Sequence, residues 1–267
     1  MANTRHTYHL HSKEIEEIIR NNGLPEEIST ETQLWDLIIK KATYSSPKLL
    51  FPLIYEIYGK KYPEDSSVVP LSTEYSVERS DTKEISTIKA DLTFCVNESD
   101  IYHFECEITY NGMITIRMFE YDISIALEHA SFAEHAVWEI EFPQSCVLYI
   151  RNHRSLPDFH EAIVKFADGQ KIRYRVPIIQ AKKYTVDRIF EKRLLILLPY
   201  HILRYEHFLK HNGTDSKNVQ HLLDDFRKIN RKLEETSEKE QKSHLYMDMI
   251  VLIEEIADYI IPKDNEI

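Results

Sequence analysis

The chain has 267 residues, 43 % of them hydrophobic, which suits one large domain or a domain with an attached subdomain. With five glycines and no Gly-rich phosphate loop, it excludes the nucleotide folds built on glycine fingerprints, and it has no membrane-length apolar run. The net charge of −11 is unevenly spread: residues 1–146 hold 12 basic and 25 acidic side chains, and residues 147–193 hold 11 and 5.

The start, "MANTRHTYHLHSKEIEEIIR", lacks the apolar core of a signal peptide, so a cytoplasmic protein is expected. "EIEEIIRNNG" predicts a short helix stopped by Gly23. "STETQLWDLIIKKAT" predicts a capped amphipathic helix, and "SPKLLFPLIYEIYG" another that Pro52 either kinks or starts. Residues 59–73 read as a loop.

The hydrophobic period then changes. "EYSVERS", "STIKADLTFCV" and "IYHFECEITY" predict a three-strand antiparallel meander over 74–110, turned at "SDTKE" and "NESD". A helix follows, with Thr115 as its cap and Met118, Phe119, Ile123, Ile125 and Leu127 as its apolar side. "SCVLYI" predicts a buried strand, parallel to its neighbour after the helical crossover. "KIRYRVPII" predicts another strand with Lys171, Arg173 and Arg175 on one face. From Thr185 the chain reads as helical, interrupted at Pro199, with further helices over 218–235 and 243–260. The expected organisation is an N-terminal helical extension (1–28), an α/β mixed-sheet core (29–184) and a helical C-terminal subdomain (185–267). The apolar residues of that tail read as core, with a possible homodimer through the C-terminal helices.

The chemistry concentrates in "KADLTFCVNESDIYHFECEITY". Glu105 and Glu107 alternate with apolar residues and so share one strand face with His103. A hairpin turn near 97–100 brings Asp91 opposite residues 105–107. Like charges held together in a dry strand pair are costly, and a divalent cation relieves the cost. Oxygen ligands favour Mg²⁺ or Mn²⁺. Two other readings stand beside this one: a wet strand face whose carboxylates meet only water, and a His103-x-Glu105-x-Glu107 site for Zn²⁺ or Fe²⁺. The three cysteines, Cys95, Cys106 and Cys146, form no CxxC pair and read as buried thiols in a reducing compartment. The basic segment reads either as a solvated face or as a positive patch that nucleic acid would use.

Asp91, Glu105-x-Glu107 and a following helix with Arg117 and Tyr121 resemble the PD-(D/E)xK phosphodiesterase core. More narrowly, "YHFECEITYNGMITIRMFEYDISIAL" and "RIFEKRLLILLPYHILRYE" are similar to the bacterial recombination-promoting nuclease and transposase-like group, over roughly residues 30 to 210. The resemblance implies a restriction-endonuclease-like αβββαβ core and a Mg²⁺- or Mn²⁺-dependent DNA endonuclease. It implies Asp91, Glu105 and the Cys106 backbone carbonyl as metal ligands. Glu107 stands where the generic motif has Lys and the subgroup commonly Gln, as a second-metal ligand or general base, or as the mark of an inactive site. Arg117 would touch the scissile phosphate or orient an acidic ligand. Lys171, Arg173, Arg175, Lys182 and Lys183 would hold DNA phosphates. The competing expectation is a catalytically inactive DNA-binding or regulatory protein on the same scaffold.

Overall fold

The computed structural model describes residues 46–72, 74–79, 84–108, 110, 112–133, 137–150, 156–203, 205, 216–240, 249, 250 and 253. The two helices expected before residue 46 lie outside them, as does most of 243–260.

A 3-10 turn at Pro47–Leu49 leads into helix α1, Leu50–Tyr58. Pro52 is its third residue, where a helix makes no use of the backbone N–H, so it starts the helix without kinking it. Gly59 ends the helix at φ 69°, a backbone region costly for a side chain, and its N–H donates to the Tyr55 carbonyl at 2.9 Å.

Among the described residues ten strands follow in chain order: β1 Val68–Pro70, β2 Glu74–Arg79, β3 Glu84–Lys89, β4 Leu92–Val96, β5 Asp100–Glu107, β6 Ser131–Phe132, β7 Trp138–Glu139, β8 Gln144–Tyr149, β9 Phe159–Lys165 and β10 Lys171–Gln180. Helix α2, Ile114–Glu128, separates β5 from β6. After β10 come α3 (Val186–Glu191), α4 (Leu198–Leu203) and α5 (Ser216–Glu240). A six-stranded mixed sheet has the order β1-β4-β5-β8-β10-β9, and β2–β3 and β6–β7 form two small sheets of their own. The class is α/β. Among the described residues no helix is long and apolar enough to cross a membrane.

The expected meander is therefore divided. "STIKADLTFCV" breaks at Ala90–Asp91 into β3, which pairs with β2, and β4, which pairs with β1 and β5. At the break, Asp91 turns its side chain and its backbone N–H into side-chain hydrogen bonds with β5. The third strand of the main sheet is β1, from the segment expected as a loop. Strand β9 was not expected. It forms the sheet edge, and its burial alternates too weakly to leave a clear period in the sequence. Thr115 lies inside α2, which begins after Met113 without a side-chain cap. Thr185 does cap α3, accepting from Arg188 N–H at 3.3 Å.

The predicted parallel entry of β8 beside β5 is found, after the α2 crossover. Side-chain alternation then divides the sheet's two faces. Leu92, Phe94, Tyr102, Phe104, Cys106, Cys146 and Leu148 join one core with α1 and the C-terminal helices. Val147, Tyr149, Val176 and Ile178 pack beneath Ile114 and Met118 of α2. Phe94 stacks on Tyr102 at 5.2 Å and meets Phe104 edge-on at 5.4 Å. Truncating Phe94 to alanine would cost about 3–5 kcal/mol. This packing fixes β4 and β5, and with them the acidic residues at their ends.

Candidate functional site

The register of β4 on β5 sets Leu92 opposite Phe104 and Thr93 opposite His103. One step beyond, Asp91 meets Glu105. Asp91 and Glu105 also share the α2 side of the sheet, because odd-numbered residues on both strands point there. The Asp91 N–H donates to Glu105 Oε1 at 2.9 Å, and the Cys106 N–H donates to Asp91 Oδ2 at 2.7 Å. The Ile150 N–H donates to the Glu107 carbonyl, so residue 107 turns its backbone groups toward β8. Cys106 turns its own the other way, toward Asp91. The sequence placed Asp91, Glu105 and Glu107 together; the structure joins Asp91 to Glu105 and to the Cys106 backbone, while Glu107 pairs with Arg117.

His103 lies beneath Glu105, fully buried. Its Nε2 is 3.1 Å from Glu105 Oε1 and its Nδ1 is 2.7 Å from Asp122 Oδ1. Burial pushes the imidazole down, but hydrogen bonds to Asp122 and Glu105, and their charge, outweigh it and hold its pKa at about 9. Both ring nitrogens face carboxylate oxygens, so His103 links Asp122 to Glu105 beneath the site. Asp122 also accepts from Ser145 Oγ and Tyr174 OH, each at 2.6 Å. Burial, with Asp122 beside it, pushes the Tyr174 hydroxyl up. Asp122, Ser145 and Tyr174 went unread in the sequence; the only available signal was a lone Asp among apolar positions on the inner side of α2.

Arg117, on α2, pairs with Glu107 Oε1 and stands 3.8 Å from Glu105 Oε2. Its Nε is buried without a hydrogen-bond partner. Glu107 is thus held by a cation, at the half-buried end of β5. Tyr121, one turn on, packs edge-on against His103 at 5.7 Å, and burial with the nearby Glu105 charge pushes its hydroxyl to about 12.

The residues expected to bind DNA lie on and after β10. Lys171, Arg173 and Arg175 are exposed. Arg173 Nη1 and Arg175 Nε each reach a separate oxygen of Glu161 at 2.6 Å, and Arg175 also covers the Phe159 ring at 4.4 Å. Lys183 is exposed, 3.7 Å from Asp158, and Lys182 is half-buried. The three cysteines form no disulfide and are buried, as expected.

Among the described residues no group of three or more His, Cys, Asp and Glu side chains is disposed to hold a metal ion. The donor set that remains is two carboxylates, Asp91 and Glu105, and the Cys106 carbonyl. That set suits Mg²⁺, which commonly takes one or two carboxylates and completes its shell with water and substrate phosphate. Comparison with family models, with curated proteins and with solved structures gave no match.

Proposed function

We propose that the chain is a divalent-metal-dependent DNA endonuclease with a PD-(D/E)xK-like core. The observation that carries the reading is the apposition of Asp91 and Glu105 at the adjoining ends of β4 and β5, with Arg117 3.8 Å from Glu105. The order α1, β1, β4, β5, α2, β8, with β2–β3 inserted, agrees with an αβββαβ core. Asp91, Glu105 and the Cys106 carbonyl would hold Mg²⁺ or Mn²⁺. When bound, the ion would lower the pKa of a water and neutralise phosphate charge. Arg117 would supply the positive charge that Lys gives the generic motif, from 3.8 Å beside Glu105. His103, clamped by Asp122, orients Glu105. Lys171, Arg173, Arg175, Lys182 and Lys183 would position the DNA backbone.

The test is nicking of supercoiled plasmid in Mg²⁺ or Mn²⁺ by the native chain, Asp91→Asn and Glu105→Gln. The native chain should nick and both variants should lose at least the order of 100-fold. Equal cleavage by all three ends the proposal.

A second reading, a catalytically inactive DNA-binding or regulatory protein, is favoured by one observation: Glu107 sits where the motif has Lys and is tied up by Arg117. Calorimetry separates the two. DNA affinity without Mg²⁺ binding supports the inactive protein, and metal binding that disappears in Asp91→Asn supports the enzyme.

A further inference from the structure

Helix α2 buries Ile114, Met118, Ile125 and Ala126 and leaves its opposite side apolar as well. Met113, Ile116, Ile123 and Leu127 are between 36 and 62 % exposed. With Glu120 they form a stripe at 113, 116, 120, 123 and 127. This three-four alternation is the spacing of a helix–helix seam. A surface helix ordinarily turns charged residues to water on that side. The chain passes from α2 directly into the β6–β7 hairpin, where Phe132, Val137, Trp138 and Ile140 are between 46 and 61 % exposed. Phe132 and Trp138 meet edge-on at 5.3 Å, so the hairpin presents a set aromatic pair. Eight large apolar side chains, each about half exposed, present on the order of 800 Å², the area one partner contributes to a standard protein interface. A monomer's largest apolar patch is ordinarily smaller.

We infer that this surface docks a second copy of the chain, α2 against α2 and antiparallel across a two-fold axis. The stripe complements itself. Reversing one copy sets its Ile116 against Leu127 of the other and its Ile123 against the aliphatic stem of Glu120. The same patch then serves both copies, as an isologous interface requires. The inference is independent of the nuclease reading, since it uses the outer side of α2 and none of the site residues.

The experiment is sedimentation of the full chain at micromolar concentration, beside an Ile116→Asp, Leu127→Asp double variant. The native chain should sediment at twice its 31.7 kDa. The double variant should sediment as a monomer, its dissociation constant weaker by on the order of 100-fold, with an unchanged far-UV circular dichroism spectrum. A second variant keeps the test open if the first fails to fold: Ile116→Cys with Leu127→Cys in one chain. The two positions are about three turns apart, too far to bridge within one helix, so mild oxidation should give only a covalent dimer. A monomeric native chain, a dimer that survives the aspartates, or an absence of covalent dimer overturns the inference.

Discussion

The Asp91 backbone N–H donates to the Glu105 carboxylate while the Asp91 carboxylate accepts from Cys106 N–H, so the two residues clasp the ends of β4 and β5 reciprocally. Each carboxylate therefore has a structural task besides any chemistry. Asp91→Ala would leave the Cys106 N–H without this acceptor and should cost about 1–3 kcal/mol in urea unfolding. Asp91→Asn keeps an acceptor oxygen and should cost less. Millimolar Mn²⁺ should raise the Tm of the native chain and leave Asp91→Asn unmoved, because binding to the folded state alone stabilises it. Equal Tm shifts in both would show that the ion binds elsewhere.

Asp122 is the hub beneath the site. It accepts from His103, Ser145 and Tyr174 while almost fully buried. Removing it strands a buried imidazolium and two hydroxyls. Asp122→Ala should destabilise the fold by about 3–5 kcal/mol. Ser145→Ala, which deletes one donor and leaves Asp122 two others, should cost about 1 kcal/mol. Comparable urea midpoints for the two variants would contradict the hub.

The opposition of Asp91 and Glu105 was legible because a hairpin has period-two alternation on both arms and a turn, "NESD", from which to count. Asn97 and Glu98 take φ 52° and 58° there, as such a tight turn demands. The Asp122 hub was not legible. Its partners come from three different elements, and Tyr174 is 52 positions away along the chain. No local pattern encodes that meeting; the sheet order does. Strand β1 was lost for a related reason. Three residues ending in Pro70 carry no period, and only pairing with β4 makes them a strand. The ion pair of Arg117 with Glu107 likewise needs the angle at which α2 crosses β5, so the sequence could place both residues near the site without joining them.

Asp100 predicts the acid limb of stability. Burial pushes its carboxyl up, but Lys60 at 2.5 Å and the Tyr62 hydroxyl at 2.7 Å outweigh this and hold it below the ordinary range. A depressed carboxylate stabilises the fold above its unfolded pKa, and that contribution fades as pH falls through the folded value. Asp100→Asn should therefore narrow its stability gap to the native chain as pH drops below about 4. Urea titrations from pH 7 to pH 3 would show it, and a gap that widens toward acid would refute it.

The thiols should be inert until the fold opens. Burial pushes Cys146 to about 12 and Cys95 to about 11. The attacking species is the thiolate, and its fraction falls tenfold for each unit of pKa above the working pH. Near pH 8, a disulfide reagent should modify these thiols far more slowly than a free cysteine, and all three of the chain's cysteines should react promptly in denaturant. Rapid stoichiometric labelling of the folded chain would contradict the buried placement.

Glu161 is the residue most directly placed to weaken a phosphate grip on β10. It bridges Arg173 and Arg175 through separate oxygens, and those two guanidinium groups hold its carboxyl below the ordinary range. The three side chains lie on one exposed face of the β9–β10 ribbon, since Arg175 is opposite Glu161 and Arg173 opposite Ile163. In the proposed DNA contact, a phosphate would compete with Glu161 for both cations. Glu161→Gln removes that competitor and should tighten binding of a short duplex at fixed salt, whereas Arg173→Gln should loosen it. The slope of log affinity on log salt should fall by about 0.9 for each phosphate contact deleted, so Arg173→Gln should be shallower than the native chain. Binding measured in EDTA keeps the assay free of cleavage and independent of the Asp91 pocket. Should Glu161→Gln leave the affinity unchanged, the ribbon is a solvated face and the DNA path lies elsewhere on the molecule.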